Sequence, residues 1–292
     1  GKSHFGENVT FDETLPTNYL ADEVIDDNKV NELLAKKYNE TIVIAEDDSE
    51  ILAYLKDELS TNFRVIAVNN GYDAVKAVMD DEVSLILSDV LMPALNGFQL
   101  CSNIKSNIAT CHIPIVLLTA LSDDNQRIYG IAEGADEYIH KPFNMQYVRL
   151  KIIRIIEERK RLASTFAQKF GRLTRHEAAN LPCVDDVFRD KLFNLIEAQH
   201  SDSNFKIELM SDMLGMSRIL LYRKITSIFG MSPSDLLRNY RLQKAVQLLT
   251  DQRRNVSEVA YIVGFSSPAY FAKCFKSVYN MTPTEYMYRT RE

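Results

Sequence analysis

Three carboxylates, a hydroxyl and an ammonium each follow a short β-rich run by one or two residues in the first half of the chain. The carboxylates belong to Glu46, Asp47 and Asp89, the hydroxyl to Thr119 and the ammonium to Lys141. Carboxylates that converge repel one another unless a cation joins them, and hard oxygen ligands with open coordination positions favour Mg²⁺. A nucleophilic carboxylate, a divalent metal and a cationic clamp are the groups that phosphoryl transfer uses. These residue types therefore predict phosphate chemistry, provided that the fold brings them together.

The elements that must position these groups alternate between strand and helix. The β-rich runs span Thr41–Ala45, Phe63–Val68, Val83–Ser88, Ile113–Leu118 and Glu137–Ile139. The helical segments span Glu50–Leu59, Tyr72–Asp80, Gly97–Ser106, Asp123–Glu133 and a long stretch from Met145. This alternation predicts a doubly wound α/β fold with a five-stranded parallel sheet. Ligands of such sheets bind beyond the carboxyl ends of the strands, and the polar side chains lie at those ends.

The composition indicates an ordinary folded protein with an uneven distribution of charge. Hydrophobic residues make up 46% of the chain and charged residues 25%, which excludes wholesale disorder. The 4 cysteines are far apart without a CxxC pair, which argues against a disulfide scaffold and suits a reducing cytosol. Residues 161–292 carry 19 Lys and Arg against 13 Asp and Glu, whereas residues 1–160 carry 15 against 27. This asymmetry predicts a nucleic-acid-binding module in the C-terminal half.

The C-terminal half shows only helical patterns and contains an internal repeat. Helix starts with an N-cap and an acid three residues later occur at 232–235, 255–258 and 282–285. The glycine-containing turns at Gly215 and Gly264 recur at an offset of 49 residues. Each copy has a short helix, a glycine turn and a second amphipathic helix, which is the outline of a helix-turn-helix.

The second helix of each copy has one apolar and one mixed side. The apolar sides carry Leu221, Ile225 and Ile228 in the first copy and Phe271, Phe275 and Val278 in the second. The opposite sides carry Arg218, Ile219, Tyr222, Arg223 and Thr226, and Pro268, Ala269, Ala272, Lys273 and Lys276. For a single helix, simple solvent exposure would be the preferred interpretation. Two such helices in tandem favour entry into the DNA major groove instead.

Residues 41 to about 160 resemble the receiver domain of response regulators. The matching stretches are IVIAEDD at 42–48, LSDVLMPALNG at 87–97, VLLTA at 116–120 and GADEYIHKPF at 134–143. The resemblance implies a flavodoxin-like fold that binds Mg²⁺ and takes a phosphoryl group from a phosphohistidine.

The resemblance also assigns roles to individual residues. It implies that Asp89 is the phosphoryl acceptor and that Mg²⁺ is held by Glu46, Asp47, Asp89 and the backbone carbonyl of Leu91. It further implies that Lys141 pairs with the phosphoryl group, that Thr119 hydrogen-bonds it, and that Tyr138 turns inward as Thr119 moves. Glu46 stands where an aspartate is commoner, which changes the reach of the carboxylate but keeps its charge.

Residues from about 185 to 292 resemble the DNA-binding domain of the AraC family, in which a central helix joins two helix-turn-helix units. The strongest matches are VSEVAYIVGFSSPAYFAKCF at 256–275 and LLRNYRLQKAVQLL at 236–249. By position, the resemblance implies DNA contacts at Arg218, Ile219, Tyr222, Arg223, Ser267, Pro268, Ala269 and Lys273. The side chains of Ile219, Pro268 and Ala269 cannot hydrogen-bond a base edge, so they would contact thymine methyl groups or read DNA shape.

The combination of these two domains resembles the C-terminal part of a hybrid two-component sensor. Residues 1–40 are expected to form an acidic linker that follows a kinase domain. A receiver is expected at 41–160, a helical extension and hinge at 161–184, and an AraC-type domain at 185–292. The expected partners are promoter DNA, a phosphohistidine kinase domain of the same parent chain, and a second copy after phosphorylation. We expect this part to be cytoplasmic and the parent to be anchored in the inner membrane.

The function expected from these features is that of a phosphorylation-switched transcription regulator. As an enzyme, this chain would only phosphorylate itself at Asp89 and slowly dephosphorylate, whereas the parent would carry histidine-kinase activity. One alternative is a Mg²⁺-dependent phosphohydrolase of the haloacid dehalogenase type, but such enzymes place a second aspartate two residues after the nucleophile, where this chain has Leu91. Another is a receiver that only sequesters partners, which specific DNA binding by residues 185–292 would exclude.

Overall fold

The computed structural model describes residues 27–120, 134–170, 185–250 and 254–289. The chain forms two compact units, Gly1–Glu158 and Arg159–Glu292. No helix of the described residues combines the length and the apolar character needed to cross a lipid bilayer. The helix expected at Asp123–Glu133, most of the expected hinge, and the first 26 residues lie outside the described residues.

The first unit is built on a five-stranded sheet. Its strands are β1 (Thr41–Ala45), β2 (Arg64–Val68), β3 (Leu85–Asp89), β4 (Ile115–Thr119) and β5 (Glu137–His140). They are hydrogen-bonded in the order β2-β1-β3-β4-β5, and every neighbouring pair is parallel. The chain changes direction across the sheet between β1 and β3, so a crevice opens at the carboxyl ends of these two strands. The predicted doubly wound fold is confirmed.

Helices cover both faces of this sheet. They are α2 (Ser49–Ser60), α3 (Gly71–Asp80), α4 (Gly97–Ser106) and the first part of α5 (Met145–Phe170). Along β1, Ile42 and Ile44 pack in an apolar cluster with residues of α2 and α5. Val43 and Ala45 point to the other face and pack with residues of α3 and α4. Strands β1, β3 and β4 are buried along their whole length, as expected for strands with helices on both sides.

The segment before β1 also packs on this unit. It contains a short helix, α1 (Asp27–Ala35), and the amide of Asn62 donates to the carbonyl oxygen of Leu34 at 2.8 Å. The ring of Tyr38 stacks on Phe63 with 5.2 Å between ring centroids, and its hydroxyl donates to Glu157 at 3.1 Å. Burial, together with the charge of Glu157, raises the pKa of Tyr38 to about 12. The residues just before the sheet therefore extend its hydrophobic core.

The described part of the second unit is helical. Its helices are α6 (Asp186–Gln199), α7 (Ile207–Met213), α8 (Arg218–Phe229), α9 (Pro233–Leu249), α10 (Val256–Ile262), α11 (Pro268–Tyr279) and α12 (Pro283–Arg289). The end of α5 belongs here too, because Phe166 and Phe170 are buried against Phe193. A second apolar cluster joins α9 to the helices that follow it, with Phe271 and Phe275 fully buried.

The helix starts predicted in this unit are present. Ser232 accepts a hydrogen bond from the backbone of Asp235, with Pro233 at the first turn of α9. Asn255 and Glu258 each accept from the backbone of the other, which is a complete capping box at the start of α10. These caps satisfy backbone groups that a helix leaves without an intrahelical partner.

The predicted glycine turns are confirmed as well, and one of them is sterically demanding. Gly215 and Gly264 have φ values of 69° and 89°, a region that side chains disfavour. A Cβ on Gly264 would lie 2.1 Å from the carbonyl oxygen of His200, so that position has room only for glycine. The two turns set the angle at which α8 and α11 leave the helices before them.

Candidate functional site

The three carboxylates predicted to converge do so at the carboxyl edge of the sheet. Glu46 follows β1, and Asp89 is the last residue of β3. One carboxylate oxygen from each of Glu46, Asp47 and Asp89 lies within 4.8 Å of the others. Glu46 is 1% exposed and Asp89 is 8% exposed, whereas Asp47 is exposed to solvent. The cluster is therefore open on one side and buried on the other.

Lys141 crosses from the end of β5 to this cluster. Its Nζ lies 2.9 Å from Oε2 of Glu46 and 3.2 Å from Oδ2 of Asp89. Its backbone N–H donates to the carbonyl oxygen of Thr119 at 2.7 Å, which fixes the lysine beside the end of β4. The ammonium thus lies between two carboxylates, where it offsets part of their mutual repulsion.

The electrostatic environment changes the protonation of Glu46. Burial and the charge of Asp89 raise the pKa of Glu46, the hydrogen bond from Lys141 lowers it, and the net result is a pKa of about 7. Burial acts to lower the pKa of Lys141, but the hydrogen bonds and charges of Glu46 and Asp89 outweigh it and raise that pKa. Without a metal, the three carboxylates of the cluster together carry more negative charge than the single ammonium of Lys141 can neutralise.

The backbone around Asp89 holds its carboxylate in place. Its Oδ1 accepts from the backbone N–H of Val90 at 2.7 Å, so Oδ1 is bound while Oδ2 faces Lys141. The carbonyl oxygen of Asp89 would lie 2.4 Å from a Cβ on Gly97, the first residue of α4. Two sequence signals mark Gly97: it ends the matching stretch at 87–97, and it directly follows the N-cap Asn96.

The donor set fits a magnesium ion. Three carboxylates on one open rim supply hard oxygen ligands, and solvent access on the Asp47 side leaves positions for water or a phosphate oxygen. A divalent cation would also relieve the unfavourable burial of the Glu46 carboxylate. Magnesium binding by the backbone carbonyl of Leu91 stays a prediction. The side chain of Leu91 is 58% exposed.

Thr119 and Tyr138, the two predicted switch residues, lie on neighbouring strands. Thr119 ends β4 and is 6% exposed. Tyr138 lies in β5, and its ring packs against the apolar cluster formed by α3, α4 and their face of the sheet. The sheet register places Thr119 opposite His140, two residues beyond Tyr138. The switch roles of the two residues, and their movement, stay predictions.

In the second unit, α8 has the two faces that the sequence predicted. Leu221, Ile225 and Ile228 are buried. Ile219 is 63% and Tyr222 is 51% exposed on the other side. The predicted contact residues Arg218 and Arg223 are exposed and half-buried, respectively. Thr226 is half-buried instead of facing outward, because it lies at the border between the two faces.

Helix α11 repeats this arrangement. Phe271 and Phe275 are buried, while Ala269 and Lys273 are exposed. The N-cap Ser267 accepts a hydrogen bond from the backbone N–H of Tyr270 at 3.3 Å, and Pro268 follows it at the first turn. Ser267 and Pro268 are half-buried at the start of the helix. The second unit therefore contains two helices, α8 and α11, that each have one buried and one exposed face.

One predicted contact residue has a partner that the sequence analysis missed. The guanidinium of Arg218 donates to Glu208 at 3.0 Å, and both side chains are more than half exposed. This ion pair joins α7 to the start of α8. Because it lies in solvent, it contributes little to stability and does not prevent Arg218 from turning to another anion.

Two family profiles match the chain, and they match its two units. A profile described as response regulator receiver domain covers residues 42–153, and one described as helix-turn-helix domain covers residues 210–289. The first contains the carboxylate cluster, and the second contains both exposed helix faces.

Curated relatives carry similar domains. A protein named "Histidine kinase P4" from Formosa agariphila is 37% identical over 280 residues, which are 96% of this chain and 20% of that protein. The "Transcriptional regulatory protein GltR" of Pseudomonas aeruginosa is 38% identical over 113 residues, or 38% of this chain and 47% of that protein. The chain thus spans about a fifth and about half of these relatives.

Two solved structures are similar to parts of the chain. A receiver domain of a signal transduction histidine kinase from Syntrophus aciditrophicus is 34% identical and covers 42% of this chain and 93% of its own, with a TM-score of 0.40. The C-terminal domain of the response regulator yesN from Fusobacterium nucleatum is 32% identical over 34% of this chain and 96% of its own, with a TM-score of 0.33. By its two family matches, the chain contains a response-regulator receiver domain followed by an AraC-type helix-turn-helix domain.

Proposed function

We propose that this chain is a phosphorylation-switched regulator of transcription that binds specific promoter sequences. The observation that carries the proposal is the convergence of Glu46, Asp89 and Lys141 within hydrogen-bonding distance, on a chain that also presents two exposed helix faces in tandem. The receiver and helix-turn-helix matches support both halves of the proposal.

In the proposed reaction, an oxygen of the Asp89 carboxylate attacks the phosphorus of a phosphohistidine, and the bond from nitrogen to phosphorus breaks. The ammonium of Lys141, already 3.2 Å from Asp89, pairs with the transferred group. The hydroxyl of Thr119 donates a hydrogen bond to it from the neighbouring strand. When bound by Glu46, Asp47 and Asp89, Mg²⁺ supplies positive charge that stabilises the phosphoryl oxygens.

The phosphoryl donor in this proposal is a histidine-kinase domain, as expected for a parent chain that combines kinase and regulator. The name of the Formosa agariphila relative, which aligns with nearly this whole chain, supports it. After phosphorylation, Thr119 and Tyr138 would rearrange. A second copy would bind through the face formed by β5, α5 and the helix expected at Asp123–Glu133, which lies outside the described residues. Sedimentation of the phosphorylated chain tests this step, and an unchanged monomer would contradict it.

The decisive experiment measures DNA binding with and without a phosphoryl donor. The chain is incubated with Mg²⁺, with or without acetyl phosphate, and mixed with sheared genomic DNA of its source; bound fragments are then sequenced. We expect a shared motif that is enriched more strongly with the donor, and no donor effect for Asp89→Asn. Absence of any enriched motif would reject DNA recognition, and equal enrichment in all samples would reject the switch.

A further inference from the structure

A lysine is buried completely on helix α8, on the side opposite its exposed face. The side chain of Lys224 is 0% exposed, and its Nζ lies 2.6 Å from Oδ2 of Asp185. The same ammonium lies 4.5 Å from the centre of the Phe188 ring. Lysine is rarely buried unless it is paired, so this ion pair is a specific feature of the fold.

Asp185 belongs to the start of another helix. Its Oδ1 accepts from the backbone N–H of Phe188 at 2.8 Å, so the residue is the N-cap of α6. Its side chain is only 9% exposed. The two oxygens of one buried carboxylate therefore join the first turn of α6 to the middle of α8.

The second copy of the repeat shows that a helix at this position does not need a lysine. When α8 and α11 are aligned by their N-caps, Ser217 and Ser267, the residue that matches Lys224 is Cys274. Cys274 is 6% exposed, so an uncharged side chain fills the equivalent buried position. Burying a charge removes its hydration, and an apolar pair would often be at least as stable. The ion pair is therefore poorly explained by stability alone.

Its place on the helix suggests a geometric role. Lys224 directly follows Arg223, and two residues earlier the exposed Tyr222 lies on the proposed DNA-facing side. Rotation of α8 about its axis would move these side chains relative to a base edge. A buried ammonium needs its partners at short distance, and the 2.6 Å contact with Asp185 would be lost if α8 rotated, so the pair opposes such rotation more strictly than apolar contacts do.

We propose that the Lys224–Asp185 ion pair is a positioning contact that sets the rotation of α8, and through it the base preference of the first helix-turn-helix unit. The inference rests on the proposed DNA-binding function and extends it. It predicts that the two halves of the binding site respond differently to loss of the pair, because the matching residue of α11, Cys274, carries no charge.

The test selects binding sites from a pool of duplexes with 30 random base pairs. It compares the whole wild-type chain with Lys224→Met, with Lys224→Met/Asp185→Asn, and with Lys191→Met, which removes an exposed lysine of α6. The double variant removes both charges of this ion pair, and asparagine is still a good N-cap, so its melting temperature should return towards the wild-type value. It therefore remains informative if the single variant does not fold.

We expect the double variant to lose base preference in the half-site read by α8 and to keep it in the half read by α11. Its affinity for the duplex selected by the wild type should fall about tenfold, the size of one good base contact, while Lys191→Met should select the wild-type site. An unchanged site in the double variant, or an equal loss in both halves, would overturn the inference. If the wild type enriches no motif, the proposed function fails and the inference fails with it.

Discussion

Nζ of Lys141 lies 3.2 Å from Oδ2 of Asp89. Asp89 ends β3 and Lys141 follows β5, and strand β4 lies between these two strands in the sheet. Parallel strands end at the same edge of the sheet, so a residue at the end of β3 and one just after β5 reach the same place. The pair is the point at which the proposed acceptor meets the proposed phosphate clamp.

Replacing the acceptor should abolish phosphorylation without unfolding the receiver domain. Asp89→Asn keeps the shape and the hydrogen bond from Val90, but an amide does not act as the nucleophile. Incubation with radiolabelled acetyl phosphate and Mg²⁺ should label the wild type and leave the variant unlabelled. Asp57→Asn, an exposed aspartate of α2, serves as the control and should be labelled normally. Wild-type labelling of Asp89→Asn would refute the assignment.

The metal-free protein should lose stability as the pH rises through the range in which Glu46 ionises. The pKa of Glu46 is about 7 in the folded chain and near 4.5 in the unfolded one. Between these values the folded state holds a proton that the unfolded state has released, so the free energy of unfolding falls with increasing pH. Urea unfolding in EDTA at pH 5 and pH 7.5 measures the difference.

Glu46→Gln provides the comparison for that experiment. The amide cannot ionise, so its stability should change less than that of the wild type between the two pH values. Added Mg²⁺ should stabilise the wild type most at pH 7.5, where its ligand is ionised. Identical pH dependence in the two proteins would mean that Glu46 does not titrate in this range.

Loss of a cation on either exposed helix face should weaken DNA binding. Arg223 lies on α8 and Lys273 takes the same place on α11, so Arg223→Ala and Lys273→Ala should each cost about 1–3 kcal/mol if these residues contact bases. Affinity should also fall steeply with salt. Fluorescence anisotropy with a selected duplex measures both effects, and Lys191→Ala controls for lost charge. An unchanged affinity for DNA in both variants would contradict DNA recognition by two helix-turn-helix units.

The same helices predict the length of DNA that one chain protects. Two recognition helices in one chain should enter successive turns of the major groove, about 34 Å apart. Hydroxyl-radical footprinting should therefore show protection over roughly two helical turns per chain. Protection confined to a single turn would show that only one of the two units reads DNA.

The sequence predicted the sheet, the cluster and both helix faces because each depends on local patterns. Alternating elements predict a parallel sheet, and parallel strands end at one edge, so Glu46, Asp89 and Lys141 could be expected there from the sequence. The order β2-β1-β3-β4-β5 is known only from the structure. Capping signals such as Asn255 and Glu258 are equally local, and the structure contains them.

Contacts between distant segments of the chain could not be predicted from local sequence patterns. Nothing in the sequence pairs Lys224 with Asp185, because the two are 39 residues apart and a lysine beside an apolar stripe is usually exposed. The packing of Tyr38 on Phe63 and the contact of Gly97 with the carbonyl of Asp89 depend on how helices and strands approach each other. Such distances follow from tertiary packing, which periodicity does not encode.

The phosphorylated receiver should lose its phosphoryl group slowly. Hydrolysis needs a water molecule aligned opposite the leaving Asp89 carboxylate, and polar side chains usually orient such a water. By the receiver resemblance, the positions closest to this water are two residues after Asp89 and two after Thr119. They hold Leu91, which is 58% exposed beside the site, and Leu121, which lies outside the described residues. Neither side chain can hydrogen-bond water.

The measurement follows the decay of purified phosphoprotein in Mg²⁺ buffer, for the wild type and for Leu91→Asn/Leu121→Glu. The polar pair should accelerate decay, because it supplies an acceptor and a donor that can hold the attacking water in line. Because Leu91 is exposed, Leu91→Asn alone should leave the fold unchanged. Initial labelling of the double variant by acetyl phosphate at the wild-type level separates a kinetic effect from a structural one. Rapid decay of the wild type, or equal decay of the two proteins, would show that orientation of water does not limit the lifetime of the phosphorylated state.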